Sequence, residues 1–259
     1  MNTHLVIRLG FIVCPRRPFL IFLFVERRYF MGRFDRFMKI IGEEQLKNLQ
    51  HKTVLVLGCG GVGGYVVEAL ARSNIGSIIL VDYDLVEEMN INRQIIALTS
   101  TIGQKKIDVL EERIHAIHPD CKVLKMDTFI LPDNIEELFA FPFDFLVDAC
   151  DTTTTKKAVI RECLLRNIPF VSSMGTGNRL DPSQLEIVDI RKTSNDPLAR
   201  MIRKFVKDER ISQKVMVLSS SEAPIKNHER TPGSSAFVPA SAGLLIASYI
   251  VRYFLKKEN

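Results

Sequence analysis

The chain has 259 residues, 46% hydrophobic and 25% charged, an ordinary globular composition with room for one sizeable core. Its formal net charge is +5, but residues 1–30 hold five Arg and one Glu, a surplus of four that leaves +1 for the rest, so global charge gives no argument for nucleic acid. The five cysteines (Cys14, Cys59, Cys121, Cys150, Cys163) contain no CxxC, which speaks against a tetrahedral zinc site and against a disulfide framework.

Residues 1–30 fit neither a membrane span nor a signal peptide. Their longest apolar run, Phe19 to Val25, is far short of the ~20 residues a span needs, and Arg16 and Arg17 interrupt the stretch. No small-residue cleavage site follows Val25. Met31 opens what reads as a domain start. We therefore expect residues 1–30 to be a non-native or disordered extension, with a weak membrane-surface anchor as the alternative, and 31–259 to be one domain.

Phe34 to Leu49 has helical spacing, broken at Gly42. Thr53 to Leu57 is an apolar run of the buried-strand type. A glycine-rich turn follows, then a helix with Val62, Val66, Ala69 and Leu70 inward. Ser77 to Val81 is a second strand and Lys105 to Ile117 a helix stopped by Pro119. Lys122–Met126, Phe143–Val147 and Pro169–Ser173 read as further strands, with a helix over Lys156–Asn167. Beyond Gly175, "QLEIVDI" and "KVMVLSSS" read as strands flanking a helix from Pro197 to Lys207. The last helix, Ser241 to Leu255, is strongly apolar, and Arg252 favours a core or dimer helix over a membrane span. This alternation predicts an α/β, Rossmann-like, doubly wound and mainly parallel sheet with added C-terminal strands and helices.

Gly58, Gly60 and Gly63 satisfy G-x-G-x-x-G directly after a strand and at the opening of a helix. Gly58 allows the tight turn, Gly60 lets a pyrophosphate reach the backbone, and Gly63 lets the helix pack on the sheet. Asp82 ends the next strand, 24 residues after Gly58, where a carboxylate accepts hydrogen bonds from ribose hydroxyls. On its own this pattern fits a dinucleotide enzyme as well as an ATP enzyme.

The residues that follow shift the balance. Arg93, flanked by Asn90, Asn92 and Gln94, and then Lys106 supply two cations that hydride transfer does not need. Nucleotidyl transfer needs them, because charge on a triphosphate must be neutralised as pyrophosphate leaves. Arg93 offers a fork and Lys106 a point charge; surface solvation is the plain alternative for both. "VDACDTTTTK" places Asp148 and Asp151 at the end of a strand. Asp151 is placed to hold magnesium, and Asp148 reads as a structural acid. Between Ile190 and Lys214 there are eight Lys/Arg against three acids. Leu198, Met201, Ile202, Phe205 and Val206 form the inward stripe of that helix, leaving Arg200, Arg203, Lys204 and Lys207 largely outside it. That outer face is a solvated surface or a contact for RNA phosphates.

"GCGGVGG", "DYDLVEEMNINRQ", "IGQKK" and "DACDTTTTK", in this order and spacing, resemble the ubiquitin-activating-enzyme superfamily. Over about Phe34 to Leu255 the chain looks closest to the branch of tRNA threonylcarbamoyladenosine dehydratases, with "SSMGTGNRLDPSQLEI", "DPLARMIRK", "VLSSSEAP" and "GSSAFVPASAGLLIAS" in support. The resemblance implies an ATP-binding adenylating domain over 31–259. Its nucleotide half would span about 51–175 and its substrate and dimer half about 176–259. It implies that the glycine loop (Gly58, Gly60, Gly61, Val62, Gly63) binds ATP phosphates and that Asp82 binds ribose. Asn90, Arg93, Gln94 and Lys106 would complete the nucleotide site, Arg93 acting in its own subunit or across a dimer. Asp151 would hold Mg2+. It further implies a cytoplasmic homodimer without stable membrane association, acting on tRNA, with a monovalent cation and sulfur-transfer proteins as further associates. The Ser219–Glu222 stretch and the Gly233–Ser235 turn would contact substrate or cation.

The implied reaction is adenylation of the threonylcarbamoyl carboxylate, then ring closure within the same side chain with release of AMP. The cysteines bear on the competing reading, adenylation of a Gly-Gly-ended ubiquitin-like sulfur carrier. No cysteine follows Cys163, so the C-terminal third lacks both a thiol nucleophile and paired zinc ligands. Cys59 and Cys150 flank the site and read as small buried hydrophobes. A non-catalytic nucleotide-binding partner or an NAD oxidoreductase would leave Arg93, Lys106 and Asp151 without purpose.

Overall fold

The computed structural model describes residues 5–12, 22–29, 32–226 and 231–256. The chain divides into two compact units, residues 1–46 and 47–259. In the first, β1 (Leu5–Ile12) and β2 (Phe22–Tyr29) pair antiparallel, Leu5 opposite Tyr29 and Ile12 opposite Phe22. Helix α1 (Asp35–Ile41) ends at Gly42, whose φ of 87° breaks it from α2 (Glu43–Leu49) as the sequence predicts.

The second unit is built on seven strands in the order β5-β4-β3-β6-β7-β9-β8. They are β3 (Thr53–Leu57), β4 (Ser77–Val81), β5 (Lys122–Met126), β6 (Phe145–Asp148), β7 (Phe170–Ser173), β8 (Leu185–Asp189) and β9 (Met216–Ser220). All pairs are parallel except β8 with β9, which closes one edge antiparallel. At the other edge β5 exposes Lys122 and Lys125, charges that discourage further pairing. The helices are α3 (Gly63–Arg72), α4 (Lys106–Ile117), α5 (Thr153–Leu165), α6 (Pro197–Asp208) and α7 (Phe237–Lys256).

Val54 to Leu57 and Ile78 to Val81 are buried without alternation, as strands covered on both faces must be. Helices α3, α4 and α7 share one layer, and α5 and α6 pack together on the other. In the first layer Gly243 lets α7 approach α3; a Cβ there would lie 2.5 Å from the Val62 carbonyl oxygen. Phe145 of β6 meets Tyr253 and Phe254 of α7 edge-on, centroids 5.3 and 6.2 Å apart. Helix α7 is long and apolar enough by composition to cross a membrane, yet Val238, Ala242, Ile246 and Ile250 are fully buried in this core.

Several local expectations shift. On α3, Val67 and Ala71 are buried, while Val62 and Ala69 are half-buried. Helix α5 starts at Thr153 rather than Lys156, and α7 at Phe237 rather than Ser241. Met201 of α6 is 46% exposed, and Ala199 takes its place in the buried stripe.

The strand order reverses between β3 and β6. The chain winds outward from β3 to β4 and β5, then returns to β6 and winds the other way. Loops leaving β3 and β6 therefore part above the sheet and open a crevice at their carboxyl ends. Leu57 pairs with both Val81 and Asp148, so the residues just beyond those three positions meet at that crevice.

Candidate nucleotide site

Three glycines of the turn do three different jobs. Gly58 has φ of 87°, and a Cβ on it would lie 2.8 Å from the Ala149 carbonyl, so both conformation and packing demand glycine. A Cβ on Gly63 would sit 1.8 Å from the Gly58 oxygen, so this glycine serves the helix-to-turn packing. A Cβ on Gly60 would meet only the Gln94 amide, at 3.6 Å. The protein itself leaves that approach open.

Asp82 braces the turn from beneath. The Cys59 N–H donates to its Oδ2 at 2.6 Å and the Asp84 N–H to its Oδ1 at 2.8 Å. Burial pushes the Asp82 carboxyl above its ordinary value, while those two N–H groups and the Lys106 charge pull it back. Each oxygen takes one backbone donor and keeps room for another.

Two cations stand above. Lys106 opens α4 with its side chain 6% exposed, and its Nζ lies 2.6 Å from Asp84 Oδ2. Asp84 is thus the partner that aims this lysine. Arg93 Nη1 donates to the Met89 carbonyl at 2.7 Å and to Asn92 Oδ1 at 2.9 Å. Asn90 shapes the same loop, its Oδ1 accepting the Glu87 N–H at 3.1 Å. Gln94 is buried beside them with Oε1 unpartnered.

The two carboxylates after β6 diverge. Asp148 is fully buried. It binds Lys156 Nζ at 3.1 Å, accepts the Ser172 hydroxyl at 2.5 Å, and lies 3.0 Å from Cys150 Sγ. It is the structural acid the sequence suggests. Asp151 is exposed, and among the described residues its carboxylate is bonded by its neighbour Thr152 at 3.5 Å. Cys59 and Cys150 have thiols raised well above the ordinary value, chiefly by burial, which keeps them protonated and poorly nucleophilic.

One cleft of about 470 Å3 gathers most of the expected residues. Gly58, Gly60, Gly61, Val62, Asp82, Asn90, Arg93, Gln94, Lys106 and Asp151 all face it; Gly63 alone of the expected set does not. The cleft also takes residues the motifs did not single out. Tyr83 and Phe129, 51% and 43% exposed, stack obliquely with centroids 4.6 Å apart. Thr176 arrives from beyond β7, and Ser234, from the turn expected to contact substrate or cation, comes in from the loop before α7. The rule that ligands sit past the carboxyl ends of parallel strands points to Phe129, after β5, and to Thr176, after β7. The basic face of α6 is thinner than expected, because Arg203 is half-buried with its guanidinium on the Thr193 carbonyl and hydroxyl.

The ThiF family profile matches residues 34–259. A tRNA threonylcarbamoyladenosine dehydratase of Bacillus subtilis is 41% identical over 243 residues, covering 87% of this chain and 96% of its own. The crystal structure of the Escherichia coli tRNA N6-threonylcarbamoyladenosine dehydratase in complex with ATP superposes with a TM-score of 0.82 at 34% identity. It covers 87% of this chain and 95% of that one. A sulfur carrier protein adenylyltransferase of Thermus thermophilus is 30% identical over 143 residues, 54% of this chain and 52% of its own.

Proposed function

Because this chain belongs to the ThiF family, we propose that it is an ATP-dependent tRNA threonylcarbamoyladenosine dehydratase. The observation that carries the reading is the convergence of glycine turn, ribose acid, two cations and a free carboxylate on one cleft at the sheet's reversal point. Relatives of that name match nearly end to end, and the sulfur-carrier relative over about half of the chain.

The cleft suits ATP. The open approach at Gly60 leaves space for phosphate against the backbone N–H groups of the turn. In this reading the free lone pairs of Asp82 accept the ribose hydroxyls, and Tyr83 and Phe129 offer rings to the adenine. The substrate carboxylate attacks the α-phosphorus, forming an acyl-adenylate and expelling pyrophosphate. Arg93 and Lys106 neutralise charge that builds on the phosphates. Asp151 would hold Mg2+, which supplies further charge neutralisation on the triphosphate when bound. Adenylation turns a carboxylate oxygen into a good leaving group. A nucleophile of the same side chain then displaces AMP, and the net change is loss of one water from the nucleoside.

The remaining expectations stand as proposals with their own checks. A homodimer is supported by the exposed apolar side chains Met89, Ile91, Leu98 and Ile102 after β4 and Leu244 on α7; light scattering at the monomer mass would contradict it. A monovalent cation near Ser219–Glu222 is supported by the buried, unpartnered Ser219 Oγ, and activity indifferent to potassium and sodium would remove it. A cytoplasmic location and cooperation with sulfur-transfer proteins are tested by fractionation and by pull-down from the native cell.

The reading is tested by the identity of the acid that triggers turnover. AMP release from ATP should depend on tRNA bearing threonylcarbamoyladenosine. Release that depends instead on a Gly-Gly-ended carrier protein would favour the sulfur-carrier reading.

A further inference from the structure

A second groove lies against the nucleotide cleft, across the first turn of α5. Thr152 and Thr155 line the cleft, and Thr154 lines the groove. The segment after β5 behaves the same way: Thr128, Phe129 and Ile130 face the cleft and Pro132 the groove. The divide is one chain wide, and three extended residues span only about 10 Å.

The groove, about 490 Å3, runs between α5 and α6. Its floor is apolar, with Ala158, Phe205 and Met201. Its walls are cationic: Lys157 and Arg161, one turn apart on α5, and Lys204 on α6. Lys157 Nζ and the Arg161 guanidinium lie 6.0 and 5.5 Å from the Phe205 ring centre. Two acids oppose them, Glu209 with Arg161 at 3.0 Å and Asp208 with Lys204 at 2.5 Å. Both pairs are exposed, so they are weak and exchange readily for another anion. Lys157 makes no ion pair among the described residues.

We propose that this groove carries the sugar-phosphate backbone of the RNA whose modified nucleotide enters the cleft. The proposal rests on the tRNA reading above and deepens it. Two things select RNA as the occupant. The groove joins the reaction site within a few residues, as the strand flanking a reacting nucleotide must. Its apolar floor under cationic walls also suits sugars and bases beneath phosphates. Arg203, tied inward to Thr193, is excluded from the contact.

The test uses the full chain and an unmodified tRNA transcript, with binding measured from low to moderate salt. K157A/R161A/K204A should weaken binding about tenfold near ~0.15 M salt and lower the slope of log K against log salt by about 1 for each cation that meets a phosphate. D208N/E209Q should do the opposite and tighten binding. ATP affinity should be unchanged in both, which also reports an intact fold. Wild-type binding and slope in both variants would overturn the groove while leaving the tRNA reading intact. A wild-type chain that binds no tRNA would overturn the tRNA reading and the groove with it. Loss of a protein partner with RNA binding unchanged would assign the groove to that partner and reject the proposal.

Discussion

Asp148 and Asp151 lie three residues apart at the end of one strand, yet they live in opposite environments. Asp148 is sealed under the cleft with Lys156, Ser172 and Cys150 around it. Asp151 stands at the rim with one long contact to its neighbour. The same division runs through the site. Gly63, packed on the Gly58 carbonyl, and Lys156, bonded to Asp148 and Ser172, form a floor held together by the protein itself. Gly60, Arg93, Lys106 and Asp151 form a rim with capacity left over. The motifs thus hold two sets of residues, one that keeps a shape and one that lines the cleft.

The comparison breaks most easily at the floor. Lys156→Met leaves a buried carboxylate unpaired and should cost about 3–5 kcal/mol of stability. Thermal melting should fall by about 10 °C. D148N/K156M should recover most of that loss, because the pair goes together. An unchanged melting point for Lys156→Met would deny the floor its structural role.

The rim should behave the other way. Arg93→Ala and Asp151→Ala should move stability by less than about 0.5 kcal/mol. Each should lower turnover by about 100-fold or more. Full activity in either variant would remove it from the site.

The glycines sharpen the same line within four residues. Gly63→Ala drives a Cβ into the Gly58 carbonyl and should cost about 3 kcal/mol by denaturant titration. Gly60→Ala should leave stability near wild type and weaken ATP binding about tenfold by calorimetry. Equal effects on stability would erase the distinction.

The smallest effect is a pH dependence from Asp82, which belongs to both sets. Burial raises its folded-state value, so the folded chain holds this proton more tightly than the unfolded chain. Its contribution to stability is therefore full below the ordinary carboxylate value. It is lost as pH rises through the raised one. Asp82→Asn should flatten that part of the stability profile in ligand-free protein; an unaltered profile would contradict the burial argument.

Much of this was legible in the residues themselves. The apolar runs Thr53–Leu57 and Ser77–Val81 could only be strands buried on both sides, and both are. Asp196 followed by Pro197 marks the start of α6, and the Asp196 side chain caps the Ala199 N–H. Other starts were hidden by local propensity. The threonine run before Lys156 disfavours helix, yet Thr155 is fixed by its hydroxyl on the Ile130 carbonyl. Pro239 reads as a breaker, but it lies in the first turn of α7, where no intrahelical N–H is lost.

In the site, motif residues were legible because their chemistry is local to a turn. The pairing of Lys106 with Asp84, the Tyr83–Phe129 contact and the arrival of Thr176 were not. Each is made by topology joining distant segments. Arg203 was misjudged for the same reason: helical spacing gives a face, and only the packed loop at Thr193 shows where that side chain goes.

On the function proposed above, the cleft spends ATP to remove water from a tRNA nucleoside. The direct measurement incubates the full chain with ATP, magnesium and tRNA from a strain lacking this gene, then follows nucleoside masses. Threonylcarbamoyladenosine should lose one water, with AMP and pyrophosphate formed in step. A nucleoside mass unchanged while ATP is available would contradict it.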